Sequence, residues 1–194
     1  MLNSIIIGLD LAGKQENPTG WALWKNKKVE TSIVYRNEEI LRQISENKPE
    51  SIAIDAPLNL PREGIFRKVD REMIRRGFRV FPPGLPAMRV LTIRAMGLNK
   101  LITEMGIETI EVHPSSTRSA LNMPLKNWRE IQKVLETMGI VDRINREMTP
   151  HEIDATIAAL TAYLHKQGLT EVIGDSEEGF IIIPKRIDWR KIKL

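Results

Sequence analysis

Ser4-Ile5-Ile6-Ile7-Gly8-Leu9-Asp10-Leu11-Ala12 is an apolar run of strand length that carries a carboxylate near its exit. A loop from Gly13 to Pro18 follows, and Thr19-Gly20-Trp21-Ala22-Leu23-Trp24 predicts a second strand returning beside the first. Desolvating an Asp at the end of a buried strand is expensive unless a positive charge meets it. A divalent cation suits that role and calls for further oxygen ligands elsewhere in the chain.

Working outward, Lys25-Asn26-Lys27 predicts a tight turn into a third strand over Val29 to Tyr35, giving an antiparallel meander. Asn37 is placed to cap a short helix with Ile40, Leu41 and Ile44 on its apolar face. Ser51-Ile52-Ala53-Ile54-Asp55 then forms a fourth strand, most simply parallel to the first. Ala56-Pro57-Leu58-Asn59-Leu60-Pro61 cannot continue it. A helix with Met88, Leu91, Ala95, Leu98, Ile102 and Met105 at three- and four-residue spacing stops at Gly106. A fifth short strand, Glu108 to Val112, is ended by Pro114, and Asn127 caps a helix carrying Ile131, Val134, Leu135 and Met138. Thr149-Pro150-His151-Glu152 has the form of a capping box and opens a helix running to about Gln167. Val172-Ile173 and Phe180 to Ile183 suggest a closing hairpin.

The chain has 194 residues, no cysteine and a net charge of +4. That length fits one domain with a core of its own, here taken as residues 1–194. Lack of cysteine removes disulfides, thiolate zinc sites and cysteine nucleophiles. No signal-peptide pattern and no apolar run of membrane length is present, so a soluble cytoplasmic protein without a membrane partner is expected. The positive charge concentrates between Arg62 and Arg79, where Arg67, Arg71, Arg75 and Arg76 are candidates to contact the phosphates of a nucleic acid. A solvated helix face explains the same residues. Few aromatics argue against a stacking platform for single strands.

If the first and fourth strands are parallel neighbours, their backbones lie about 4.8 Å apart and Asp10 and Asp55 can share one ion. Oxygen donors without a His/Cys pattern suit Mg²⁺ or Mn²⁺ rather than zinc. Two such ions about 4 Å apart perform in-line hydrolysis of phosphodiesters. Asp154 can supply a third ligand from the capped helix, where Ala155, Ala158, Ala159 and Ala162 permit close packing on the sheet. His151 shares the Asp154 face, to bind metal or to position water. Glu111, at the end of the fifth strand, is a fourth carboxylate. Each has an ordinary alternative: Asp10 as a turn cap, Asp55 in an Asx turn, Asp154 complementing the helix dipole, Glu111 paired with Arg, His151 simply exposed.

The order of strands and carboxylates resembles the ribonuclease H-like superfold. Gly8-Leu9-Asp10 with Thr19-Gly20-Trp21-Ala22 resembles the opening of RuvC-type resolvases, and His151-x-x-Asp154-Ala155 resembles their last catalytic helix. The whole chain is most similar to the DUF429 family of predicted RNase H-like (RuvC-like) nucleases. The matching pieces are Gly8 to Ala12, Ile54 to Leu58, Arg67-x-x-Asp70-Arg71, Glu111 to Pro114, His151-x-x-Asp154-Ala155, and Glu178-Gly179 leading to Ile183-Pro184. That resemblance implies an α/β ribonuclease H-like fold: a five-stranded mixed sheet, helices on both faces, and a helical insertion at about 60–106 after the fourth strand. It also implies a Mg²⁺- or Mn²⁺-dependent nuclease with Asp10, Asp55 and Asp154 as ligands and Glu111 as a further one.

The function expected is hydrolysis of phosphodiester bonds in a structured RNA, DNA or hybrid by a two-metal mechanism. A two-fold resolvase would act as a homodimer. The main alternative is a non-catalytic nucleic-acid-binding module on the same fold. An actin-like phosphotransferase shares the opening strands but needs two such domains, and no P-loop is present.

Overall fold

The computed structural model describes residues 4–142 and 146–194. Three strands follow one another from the N-terminus: β1 (Ile6–Asp10), β2 (Thr19–Lys25) and β3 (Lys28–Val34). Asn26 and Lys27 both take positive φ (53° and 63°), which makes the tight turn between the last two. Helix α1 (Asn37–Asn47) leads to β4 (Ser51–Ile54). Then come α2 (Lys68–Arg75), α3 (Pro86–Glu104), β5 (Glu108–Glu111), α4 (Pro114–Ala120), α5 (Trp128–Thr137) and α6 (Pro150–Lys166). The hairpin of β6 (Thr170–Asp175) and β7 (Gly179–Pro184) and a 3₁₀ turn at Trp189–Lys191 complete the chain.

The main sheet has the order β3-β2-β1-β4-β5. β2 is antiparallel to both of its neighbours, whereas β1, β4 and β5 are parallel. Period-two alternation divides the side chains between two cores. Ile7, Leu9, Ile52 and Ile54 pack with α1 and α3, through Ile40, Ile44, Ala95, Leu98 and Ile102. Ile6, Ala22, Ala53 and Ile110 pack on the opposite face with α5 and α6. A third cluster seats α2, through Val69 and Met73, on Ile173, Ile181 and Ile183 of the hairpin.

Within the segment expected as an insertion, α3 is therefore one of the helices covering the sheet, while α2 docks on the β6–β7 hairpin. One local expectation changes. Arg36 rather than Asn37 holds the N-cap position of α1, and the Asn37 Oδ1 instead accepts from Arg94 Nε at 2.9 Å. Arg94, buried on α3, also donates to the carbonyls of Ala12, Lys14 and Tyr35, and so fixes the loop after β1. The capping box holds: Thr149 Oγ1 accepts from the Glu152 N–H at 3.2 Å, and a Glu152 carboxylate oxygen accepts from the Thr149 N–H at 2.9 Å. Among the described residues no helix is long and apolar enough to cross a membrane.

Helix α6 lies almost on the backbone of β1 and β2. A Cβ added at Gly8 would meet the Ala155 carbonyl oxygen at 2.0 Å, and one added at Gly20 would meet the His151 carbonyl oxygen at 2.0 Å. Both obstacles are main chain, so relief requires moving the helix. Gly8→Val is expected to cost about 3 kcal/mol or more, read as a lower denaturant midpoint. Gly97→Ala, inside α3 with nothing within 4 Å of the new Cβ, is expected to gain roughly 0.5–1 kcal/mol in the same assay.

Candidate functional site

Leu9 of β1 lies opposite Ile54 of β4, and the Asp55 N–H donates to the Leu9 carbonyl at 2.8 Å. The next position on each strand is an aspartate, so Asp10 and Asp55 leave the sheet side by side. Both share the parity of Ile6 and Ala53 and therefore face α6. From that helix, whose approach Gly8 and Gly20 allow, His151 and Asp154 come down to meet them. His151 Nδ1 lies 2.6 Å from Asp10 Oδ2. Asp10, Asp55 and Asp154 line one cavity of about 280 Å³.

The electrostatics are those of crowded, partly desolvated acids. Burial raises the Asp55 carboxyl well above the ordinary Asp value, and the charges of Asp10 and Asp154 push it further, with Arg118 opposing. Burial also takes Asp154 up to about 6, against the pull of the adjoining Arg118 and with the Asp10 charge adding to the rise. The His151 imidazole is held above its usual value chiefly by its hydrogen bond to Asp10. The Nη1 of Arg118 donates to Asp154 Oδ1.

This donor set fits a hard divalent ion, because every carboxylate is oxygen-only and mutual repulsion of the acids would be relieved by a cation. The ligands are not preassembled. Among the described residues no three His, Asp or Glu side chains stand ready to hold an ion. The partners seen for two of the acids account for that: Asp10 is turned to His151 and Asp154 to Arg118. An ion would replace the contact of Asp10 with His151, while Asp154, engaged with Arg118 through Oδ1, would offer its other oxygen.

Glu111 belongs to a different assembly. It pairs with Ile54 across the parallel ladder and so faces the α1–α3 side, while Ile110 and Val112 take the α6 side. Its carboxylate accepts from Arg67 Nη1 at 2.8 Å and Nη2 at 2.6 Å, and from the Leu58 N–H at 2.7 Å. Arg67 also donates to Asp70 through Nε at 3.1 Å and Nη2 at 2.8 Å. This triad is buried, with Arg67 only 1% exposed. Arg67 is thus corrected from a surface phosphate contact to a buried tie between α2 and β5. A guanidinium that donates four hydrogen bonds to two carboxylates has little left for a ligand.

The other basic candidates are at the surface. Arg71 is exposed, Arg75 donates to Glu72 at 2.7 Å, and Arg76 donates to Glu72 at 2.9 Å and Glu171 at 2.7 Å. Such exposed pairs are weak. Glu152 stays outside the site. Burial works against its charge, but Arg146, Thr149 and Thr31 together hold its carboxyl at about 2.

Two residues beside the acids were not anticipated. Arg118 and His113 are both brought in by α4, a helix that the sequence reading left unassigned. Its signal was Pro114 at the first helical position. The His113 imidazole accompanies Ser116, with Nδ1 2.7 Å from its Oγ. Burial, with help from Arg118, depresses His113 to about 4, so it is neutral at pH 7.

Two solved structures of Thermus thermophilus RuvC share this architecture. One, described as in complex with Holliday junction substrate, superposes with a TM-score of 0.54 at 16% identity, covering 85% of this chain and 96% of that one. The other gives 0.51 at 15% identity, covering 84% and 96%. The fold is thus ribonuclease H-like. No curated protein matches the sequence. Residues 8–179 match the family described as "Protein of unknown function (DUF429)". With nearly its whole length so matched, this chain belongs to the DUF429 family.

Proposed function

We propose that this protein is a divalent-metal-dependent nuclease that hydrolyses phosphodiester bonds in a structured nucleic acid. The observation that carries the reading is the placement of Asp10 and Asp55 side by side at the ends of parallel strands, with Asp154 and His151 one helical turn apart above them. The RuvC fold supports the same class, and the bound junction in one of those structures supports a nucleic-acid partner for this one.

In this reading Asp10, Asp55 and Asp154 hold Mg²⁺ or Mn²⁺. The ion, when bound, polarises a phosphoryl oxygen and lowers the pKa of water. His151, whose Nδ1 lies 2.6 Å from Asp10 Oδ2, would take the proton of the attacking water. Arg71, Arg75 and Arg76 on the outer face of α2 hold flanking phosphates. The lack of a preassembled ligand trio favours a second reading, a nucleic-acid-binding module without catalysis. Chelator separates the two: it abolishes cleavage in the first and leaves binding untouched in the second.

Three outcomes are expected. With Mn²⁺ and a panel of duplex, hybrid and branched RNA and DNA, Asp10→Asn or Asp55→Asn lowers cleavage at least about a hundredfold while circular dichroism stays unchanged. A wild-type protein that cuts none of the panel rejects the nuclease reading. In binding assays across salt, replacing Arg71, Arg75 and Arg76 by Gln weakens all sequences alike and lowers the salt slope by about 1 per charge removed.

The third outcome concerns pH. Asp154 binds its proton more tightly folded than unfolded, since its carboxyl rises from 3.8 to about 6. Its contribution to stability is therefore full below pH 3.8 and is lost as pH rises through about 6. A bound divalent ion compensates for that loss. Mn²⁺ should raise the melting temperature by several degrees at pH 7.5 and by much less at pH 5, where protons compete. Equal shifts at both pH values exclude the buried carboxylates as the binding site.

A further inference from the structure

Arg118 is 4% exposed, on the short helix α4, which packs against α6 and β7. Its Nη1 donates to Asp154, and the guanidinium stands 5.1 Å from the centre of the Trp128 ring. Its Nε–H is buried with no partner among the described residues. An ion pair serving architecture alone is poorly matched to that orphan, because a buried unpaired donor is rare and destabilising. The Arg67 guanidinium, in the same protein, shows what full satisfaction looks like. Arg118 is therefore held beside the acids although its own hydrogen bonding is incomplete there.

We propose that the Arg118 guanidinium is a resident cation of the acidic cluster, standing in place of the second ion of a two-metal site, so that the site takes one divalent ion per chain. This rests on the nuclease reading above and revises the two-ion expectation. Charge balance supports it. Asp10, Asp55 and Asp154 bring three negative charges, and the Arg67, Glu111 and Asp70 triad lining the same cavity brings one more; Arg118 offsets one and a single divalent ion two. A second ion would leave an excess of positive charge in a partly desolvated cavity and would repel the guanidinium. The guanidinium has no easy retreat, since its own helix, Trp128 and Asp154 enclose it.

The test counts Mn²⁺ on the full chain at pH 7.5, by calorimetry and electron paramagnetic resonance, after subtracting ions retained by Asp55→Asn. The wild type is expected to bind one ion with the spectrum of isolated Mn²⁺. Arg118→Met should bind two, with the spectrum of a coupled pair, and Arg118→Lys should remain at one. Two coupled ions in the wild type overturn the inference and leave the nuclease reading standing. No ion at all in the wild type overturns the metal-dependent reading beneath it. An Arg118→Met protein that folds yet still binds one ion overturns the role given to the guanidinium. If that variant does not fold, the wild-type count decides.

Discussion

The structure depends on how closely one helix can approach a sheet. Helix α6 meets β1 and β2 where Gly8 and Gly20 have no side chain, so that carbonyls of the helix occupy the space where Cβ atoms would stand. The contact is main chain against main chain, and Ala155 and Ala159 sustain it from the helix side. Everything chemical follows from that distance. His151 can reach Asp10 only because the first turn of α6 lies against the strand end that carries it. A larger residue at either glycine would separate the two halves of the site before it disturbed any of its ligands.

Around this contact the charges sort into two systems that share one cavity. On the α6 side, Asp10, Asp55 and Asp154 are underpaired, and burial together with neighbouring acids raises the carboxyls of Asp55 and Asp154. On the opposite side of the same strands, Arg67 satisfies Glu111 and Asp70 together. Removing one member of such a buried network strands the others, which makes it a rigid structural element rather than a reactive one. The difference between the two systems is satisfaction. A fully hydrogen-bonded charge is finished, whereas an incompletely paired one retains capacity for a ligand.

Much of this was legible in the sequence because alternation and spacing carry it. Ile6 to Asp10 and Ser51 to Asp55 announce buried strands ending in acid, and Thr149-Pro150 with Glu152 announces the helix that completes the set. Glu111 ends its strand and lines the cavity as expected, but which face it shows gives it Arg67 as partner. Ile110 and Val112 on one side put Glu111 on the other. Arg67 looked like part of a basic surface run, and only burial distinguishes it from Arg71, Arg75 and Arg76. Arg118 was invisible for a different reason: α4 has seven residues, too few for periodicity to emerge, and the partner of Arg118 lies 36 positions away.

The Arg67 triad also has a mechanical meaning. It fastens the start of α2 to the end of β5, and the Glu111 carboxylate at that junction also grips the Leu58 N–H of the chain leaving β4. The arginine-bearing outer surface of α2 is thereby set at a fixed offset from Asp55, through bonds that water does not reach. In the nuclease proposed above, a polyanion held on that surface would meet the acids at a defined distance, as a workpiece is held by the stop on a bench, and geometry rather than base sequence would decide where the strand is cut.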